Sequence, residues 1–165
     1  MKLPIHPRAG LALIGLVCAA SVGAALVAQH RFGMEPCPWC ILQRILFIVI
    51  ALLGLLGSVL PGQLPRLAAA LMLPASLAGA AAALYQNLVA SKLPSCDMTL
   101  ADKIISGLGL DAWQPEVFEV RASCADAAVK VLGVPFELWS LALFGLIGGV
   151  AVLLARYRGP HHHHH

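Results

Sequence analysis

Charge is what this 165-residue chain has least of. Asp, Glu, Lys and Arg make up 12% of it, about half the usual globular share, while 59% is hydrophobic and the mean hydropathy is +0.83. That scarcity excludes a soluble domain, which at this length has no interior large enough to hide so much apolar surface. It equally excludes a disordered chain, whose bias runs the other way. The net charge of +3 is too small to point to nucleic acid. Strand-type alternation is missing, and Leu and Ala dominate the apolar runs, which argues against a β-barrel. Histidine is scarce as well: His161 to His165 follow Gly159-Pro160 and read as a purification tag, leaving His6 and His30. No haem ligand set, flavin fingerprint or iron–sulfur spacing is present. What these absences leave is an all-α integral membrane protein.

Charge-free runs locate its helices at Ala9 to His30, Ile45 to Pro65, Leu67 to Ser91 and Leu138 to Ala155. Each reaches, the last narrowly, the roughly 20 apolar residues that cross a ~30 Å hydrocarbon core. The spans are accordingly placed near 9–30, 43–61, 67–90 and 137–155, in a single domain covering 1–160, with loops at 31–40 and 91–136. The first run is longer than a signal-peptide core and three spans follow it, so it is kept as a span.

Basic density sets the orientation. The termini and the turn Gly62 to Arg66 hold Lys2, Arg8, Arg66, Arg156 and Arg158 with no acidic residue. The segments Arg31 to Cys40 and Lys92 to Glu137 hold all eight carboxylates, diluted with Arg31, Lys92, Lys103, Arg121 and Lys130. The positive-inside rule then puts both termini in the cytoplasm and both loops on the outer face. Small residues at helical spacing, Gly15, Ala19 and Gly23 in the first span and Ala75, Gly79 and Ala83 in the third, predict close helix contacts. Pro74 predicts a kink in the third span.

The cysteines carry the chemistry. Cys18 falls mid-span and reads as a small buried apolar residue. The other four divide between the loops: Cys37 and Cys40 in the first, Cys96 and Cys124 in the second. An oxidising outer compartment makes paired thiols plausible as disulfides. Pro36-Cys37-Pro38-Trp39-Cys40 stands just before the second span, where a helix start offers unpaired N–H groups and the positive end of a dipole to a thiolate. Arg44, four residues after Cys40, shares its helical face. It either snorkels to the headgroups or favours the Cys40 thiolate and donates to an anionic ligand. A Cys-x-x-C is also half of a zinc site, but Cys96 and Cys124 are far apart and no native histidine is near them.

Cys96 follows the turn-rich Lys92-Leu93-Pro94-Ser95, whereas Ser123-Cys124 with Asp126 predicts a capped helix ending near Gly133. A Cys96–Cys124 bridge read on its own is a staple for the loop. Between them, Thr99 to Asp102 resembles a second cap. Leu100, Ile104, Ile105 and Leu108 share one face, suited either to the membrane surface or to packing on the bundle.

Two dithiol pairs on one side of a membrane invite thiol–disulfide exchange, the outer pair taking electrons from a soluble partner and the inner pair passing them on. The acceptor natural to that place is a lipid-soluble quinone. An ordered set of motifs supports this: Gln29; Pro36 to Arg44; Pro94-Ser95-Cys96-Asp97; Leu110 to Phe118; Ser123-Cys124-Ala125; Leu132-Gly133; Trp139. Over nearly its whole length the chain resembles the DsbB family, bacterial inner-membrane proteins that reoxidise the periplasmic thiol oxidase DsbA with quinone. The resemblance implies a four-transmembrane-helix bundle with a long periplasmic loop carrying short helices. It implies a quinone-dependent protein disulfide oxidoreductase using ubiquinone or menaquinone, whose partners are a DsbA-like periplasmic thiol oxidase and the lipid bilayer. It implies that Cys96 is attacked by DsbA, that Cys124 exchanges with Cys37, and that Cys40 and Arg44 face the quinone. Some relatives carry a histidine close to where Asn87 stands; Asn87 can hydrogen-bond a quinone oxygen but supplies no proton. The competing readings are a relative of vitamin K epoxide reductase, against which the position of Cys-x-x-C argues, and a metal-binding or structural membrane protein with loop disulfides.

Overall fold

The computed structural model describes residues 7–33, 38–89, 100–119, 130–131 and 133–156. Four long helices dominate: α1 (Pro7–Phe32), α2 (Pro38–Val59), α3 (Leu64–Leu88) and α7 (Phe136–Arg156). Each contains a stretch long and apolar enough to cross a membrane, so the fold is an all-α membrane bundle. Between α3 and α7 come the short helices α4 (Leu100–Gly107), α5 (Leu110–Trp113) and α6 (Pro115–Phe118) and the two-residue strands β1 (Lys130–Val131) and β2 (Val134–Pro135).

The helix ends follow turn chemistry rather than the edges of the charge-free runs. Proline at the first helical position lacks an N–H that would have no partner there and has its φ already set, so α2 opens at Pro38. Arg44 therefore lies inside this helix, not at its threshold. At its other end α2 stops at Val59, short of Pro65. Gly62 turns the chain at a φ of +68°, which only glycine adopts without strain, and α3 starts at Leu64 with Pro65 in its first turn. Helix α3 then continues through Pro74 to Leu88.

Successive helices pack in order, α1 on α2, α2 on α3 and α3 on α7, while α1 and α7 meet only marginally. Leu11, Ile14, Cys18, Ile50, Met72 and Phe144 lie in the shared core, where Cys18 is fully buried. Packing against glycine is tightest at two sites. A Cβ on Gly54 would stand 2.5 Å from the Leu11 carbonyl oxygen, and one on Gly79 would collide with the Phe144 ring, which stacks on Phe47 at 4.1 Å between centroids. The small-residue face of α3 is thus an interface, with Ala75, Gly79 and Ala83 all buried. That of α1 is not. Gly15 packs against Ala51 and Leu55 of α2, but Ala19 and Gly23 are exposed and nothing lies within 4 Å of a Cβ on Gly23. A spacing of four residues marks a face of a helix without saying whether another helix covers it.

At the end of the bundle away from Cys40, arginines close two helix C-termini whose last carbonyls lack intrahelical donors. Arg8 Nη1 donates to the carbonyls of Ser58 (3.0 Å) and Leu60 (2.7 Å), and Arg66 Nε donates to that of Ala155 (2.8 Å). The predicted loop helix is present as α4, and part of its apolar face packs on the bundle. Ala101 and Ile105 are buried against α2 and α3 residues and α6, while Leu100, Ile104 and Leu108 remain exposed beside the membrane-spanning helices. The helix expected from Cys124 to near Gly133 does not extend that far. Lys130 and Val131 pair in antiparallel register with Pro135 and Val134, and Gly133 turns at a φ of +81°. β-Branched valines flanking a left-handed glycine favour the hairpin over a continued helix. Thr99, the start of the predicted Cys124 helix and the histidine run lie outside the described residues.

Candidate redox site at the start of the second helix

Cys40 stands in the first turn of α2, among N–H groups that no intrahelical carbonyl satisfies and at the positive end of the helix dipole. Gln43 and Arg44 follow one turn later on the same face, three and four residues on. All three belong to a helix that is buried on this side, and they meet polar groups rather than water or lipid.

Arg44 does not snorkel. It is only 6% exposed, and its Nη1 donates to Gln29 Oε1 of α1 at 3.0 Å and to the Val117 carbonyl of α6 at 2.5 Å. Val117 lies in the last turn of α6, where carbonyls lack helical donors, so the guanidinium caps that helix. The neighbouring Glu116 carbonyl accepts from Gln29 Nε2 at 3.5 Å and lies 3.2 Å from His30 Nε2. Residues of α1 and α2 therefore clasp α6 over the end of the bundle, and Ile105 and Phe118 pack beneath against Ile41, Ile45 and Ile48. Arg44 Nε is buried with no acceptor, and no carboxylate among the described residues pairs with its charge. A buried, unpaired N–H on a cation costs about 1–3 kcal/mol or more, which makes this the point where an acceptor is missing.

Next to it is a cavity of about 260 Å³. Ser21, Ala24, Ala25 and Ala28 of α1 form one wall, Trp139, Ser140 and Leu143 of α7 the other, and Cys40, Gln43, Arg44 and Phe47 of α2 the floor. It occurs where α1 and α7 fail to close on each other, and the alanines of α1 leave room that larger side chains would fill. The lining is mostly apolar, its polar residues being Ser21, Ser140 and those of the α2 floor. A sulfur, a guanidinium and an amide thus converge on one small greasy chamber.

On the α3 side, Gln86 Nε2 donates to Cys40 Sγ at 3.2 Å, and Gln43 Nε2 donates to Gln86 Oε1 at 2.5 Å. Trp39 packs with Cys40, Leu42, Ala82 and Ala101 and is tilted against Tyr85 at 4.5 Å between centroids. Of the residues singled out from sequence, Cys40 and Arg44 share the cavity. Asn87 is half-buried on α3 and does not line it; the α3 residue that meets Cys40 is its neighbour Gln86. Cys37, Cys96 and Cys124 lie outside the described residues. Gln29, Gln43 and Gln86 were passed over as site residues because a glutamine carries no charge or nucleophile to mark it. The available signal was an uncharged amide in or beside an apolar span, which requires a partner inside the bundle.

Comparisons with known proteins assign the chain to a family. The family described as "Disulfide bond formation protein DsbB" matches residues 7–154. Disulfide bond formation protein B of Dechloromonas aromatica (strain RCB) is 35% identical over 162 residues, 93% of either chain. Its counterpart in Burkholderia thailandensis (strain ATCC 700388 / DSM 13276 / CCUG 48851 / CIP 106301 / E264) is 32% identical over 164 residues, 96% of either chain. Disulfide bond formation protein B 1 of Pseudomonas savastanoi pv. phaseolicola (strain 1448A / Race 6) is 33% identical over 138 residues, 82% of either chain. A match running from the first turn of α1 to the last turns of α7, with Cys40 and Arg44 on one wall of a chamber inside it, leaves a single assignment: this chain belongs to the DsbB family of disulfide bond formation proteins.

Proposed function

We propose that the chain is a thiol:quinone oxidoreductase of the bacterial inner membrane, with both termini cytoplasmic and the reactive cysteines periplasmic. Reduced DsbA-like oxidase is its electron donor and membrane ubiquinone or menaquinone its acceptor. Per turnover a partner dithiol becomes a disulfide, and two electrons and two protons pass to the quinone. In this reading the partner's thiolate attacks Cys96, Cys124 leaves and then exchanges with Cys37, and the electrons arrive at Cys40.

The observation that carries the proposal is the convergence of Cys40 and Arg44 on one largely apolar cavity, the guanidinium keeping an Nε donor that no acceptor among the described residues satisfies. At about 260 Å³ it lies slightly below the size of drug-binding clefts. That suits a single substituted ring whose isoprenoid tail stays in lipid. A quinone bound there supplies a two-electron, two-proton acceptor. Arg44 is placed to donate to an oxygen on which negative charge develops, and Gln29 and Val117 hold the guanidinium so that it need not reorganise. The apolar walls of α1 and α7 exclude water and strengthen that interaction. Fixing Cys40 and Arg44 one helical turn apart makes the encounter intramolecular.

The test is turnover by the full chain in detergent, with reduced DsbA as donor and short-tailed ubiquinone or menaquinone as acceptor, followed by the absorbance of the quinone. The expected result is stoichiometric oxidation of partner thiols and reduction of quinone. Failure to reduce either quinone class while the partner's thiols exchange normally would sink the proposal.

A further inference from the structure

The hydrogen-bond chain behind Cys40 is the most developed polar feature that the proposed electron path does not use. Gln43 and Gln86 are 4% and 2% exposed, so two amides are buried between α2 and α3. Such groups are costly inside a bundle unless each is paired. Here they satisfy one another, and the remaining contact goes to sulfur: Gln43 Nε2 to Gln86 Oε1, then Gln86 Nε2 to Cys40 Sγ. Gln86 does not line the cavity. It reaches the sulfur from the α3 side, while the chamber opens toward α1 and α7.

We propose that Gln86, oriented by Gln43, is a positioning residue for Cys40, fixing the sulfur at the cavity wall and supporting negative charge on it. This rests on the reading that Cys40 delivers electrons into that cavity. An amide N–H aimed at sulfur stabilises the thiolate as a hydrogen-bond donor. Gln43 decides the direction: by donating to Gln86 Oε1 it turns the NH₂ end of Gln86 toward Cys40. The arrangement also tolerates the other protonation state. If both amides turn over together, Gln86 Oε1 accepts from a Cys40 S–H and Gln86 Nε2 donates to Gln43 Oε1, so no buried group loses its partner. The amides move no proton themselves; they keep sulfur in place whether or not it carries one.

The test measures Cys40 directly and needs neither quinone nor DsbA. In full-length Cys37→Ser protein, the rate of Cys40 alkylation by iodoacetamide is followed against pH by peptide mass mapping. Gln86→Leu is expected to slow alkylation at neutral pH about 5- to 10-fold, the loss of one ordinary hydrogen bond to sulfur, and to displace the whole pH profile. Gln43→Leu gives a smaller change in the same direction, and adding it to Gln86→Leu gives no further change, because it acts only through Gln86. Should Gln86→Leu fail to fold, Gln86→Met, close in shape but without a donor, takes its place. A pH profile that superimposes on the parent in a folded Gln86 variant overturns the proposal. So does full additivity of the two substitutions. Because alkylation is independent of quinone, a chain that reduces no quinone leaves this result standing, and normal turnover with an unmoved profile removes only this role.

Discussion

Replacing Arg44 with methionine asks the most of the proposed site. Methionine fills much of the same apolar volume but removes the charge and every donor. Two bonds that organise the chain are lost, to Gln29 Oε1 and the Val117 carbonyl, together with the Nε donor that no described residue satisfies. A hydrogen bond from a charged group contributes about 1.5–3 kcal/mol. At about 1.4 kcal/mol per tenfold, loss of one bond to a ligand oxygen raises the quinone KM roughly 10- to 150-fold. The KM for reduced DsbA should stay within about threefold, because no partner contact depends on Arg44 in this reading. Arg44→Lys keeps the charge but not the fork, so it should fall between the two. Losing its clasp on α6 also lowers thermal stability in detergent, and melting curves separate that from the kinetic effect. A quinone KM within twofold of the parent, in a protein that melts normally, would remove Arg44 from the site and with it the reason for placing a quinone in this cavity.

Four further outcomes are expected. Cys40→Ser or Cys37→Ser should abolish steady-state quinone reduction while a single exchange with reduced DsbA at Cys96 and Cys124 persists, read by trapping the mixed disulfide. Gly79→Ala forces a methyl into the Phe144 ring and should destabilise the bundle by about 1–3 kcal/mol. Gly23→Ala meets open space and should leave the melting temperature unchanged or slightly raised. Membrane-impermeant labelling of intact cells should reach introduced cysteines at Lys103 and Arg31 but not at Arg66; labelling of Arg31 and Lys103 on opposite faces would break the proposed electron path.

Arg8 and Arg66 show that one sequence signal can have a second physical cause. Their density argued for the cytoplasmic side through the positive-inside rule. In the fold both also close helix C-termini, donating to carbonyls of α2 and α7. Basic side chains at these ends answer an orphan-carbonyl problem whichever side of the membrane they face.

The sequence by itself determined what depends on local composition. Four charge-free runs require four spanning helices, because lipid leaves no other way to satisfy so many backbone groups. Cys40 and Arg44 had to share a face once a helix ran through both, because four residues return nearly to the starting azimuth. Only the tertiary structure decided which side chains meet across helices. Each residue along a helix turns by about 100°, so Gln86 reaches Cys40 Sγ while Asn87, one position on, stands off the cavity. The same rotation covers the small-residue face of α3 with Phe144 and leaves Ala19 and Gly23 of α1 exposed. Hydropathy records that a segment is apolar; the azimuth at which its neighbours pack is fixed by the whole bundle, and that azimuth made Gln29 and Val117 the groups that hold the arginine and Gln86 the one that meets the sulfur.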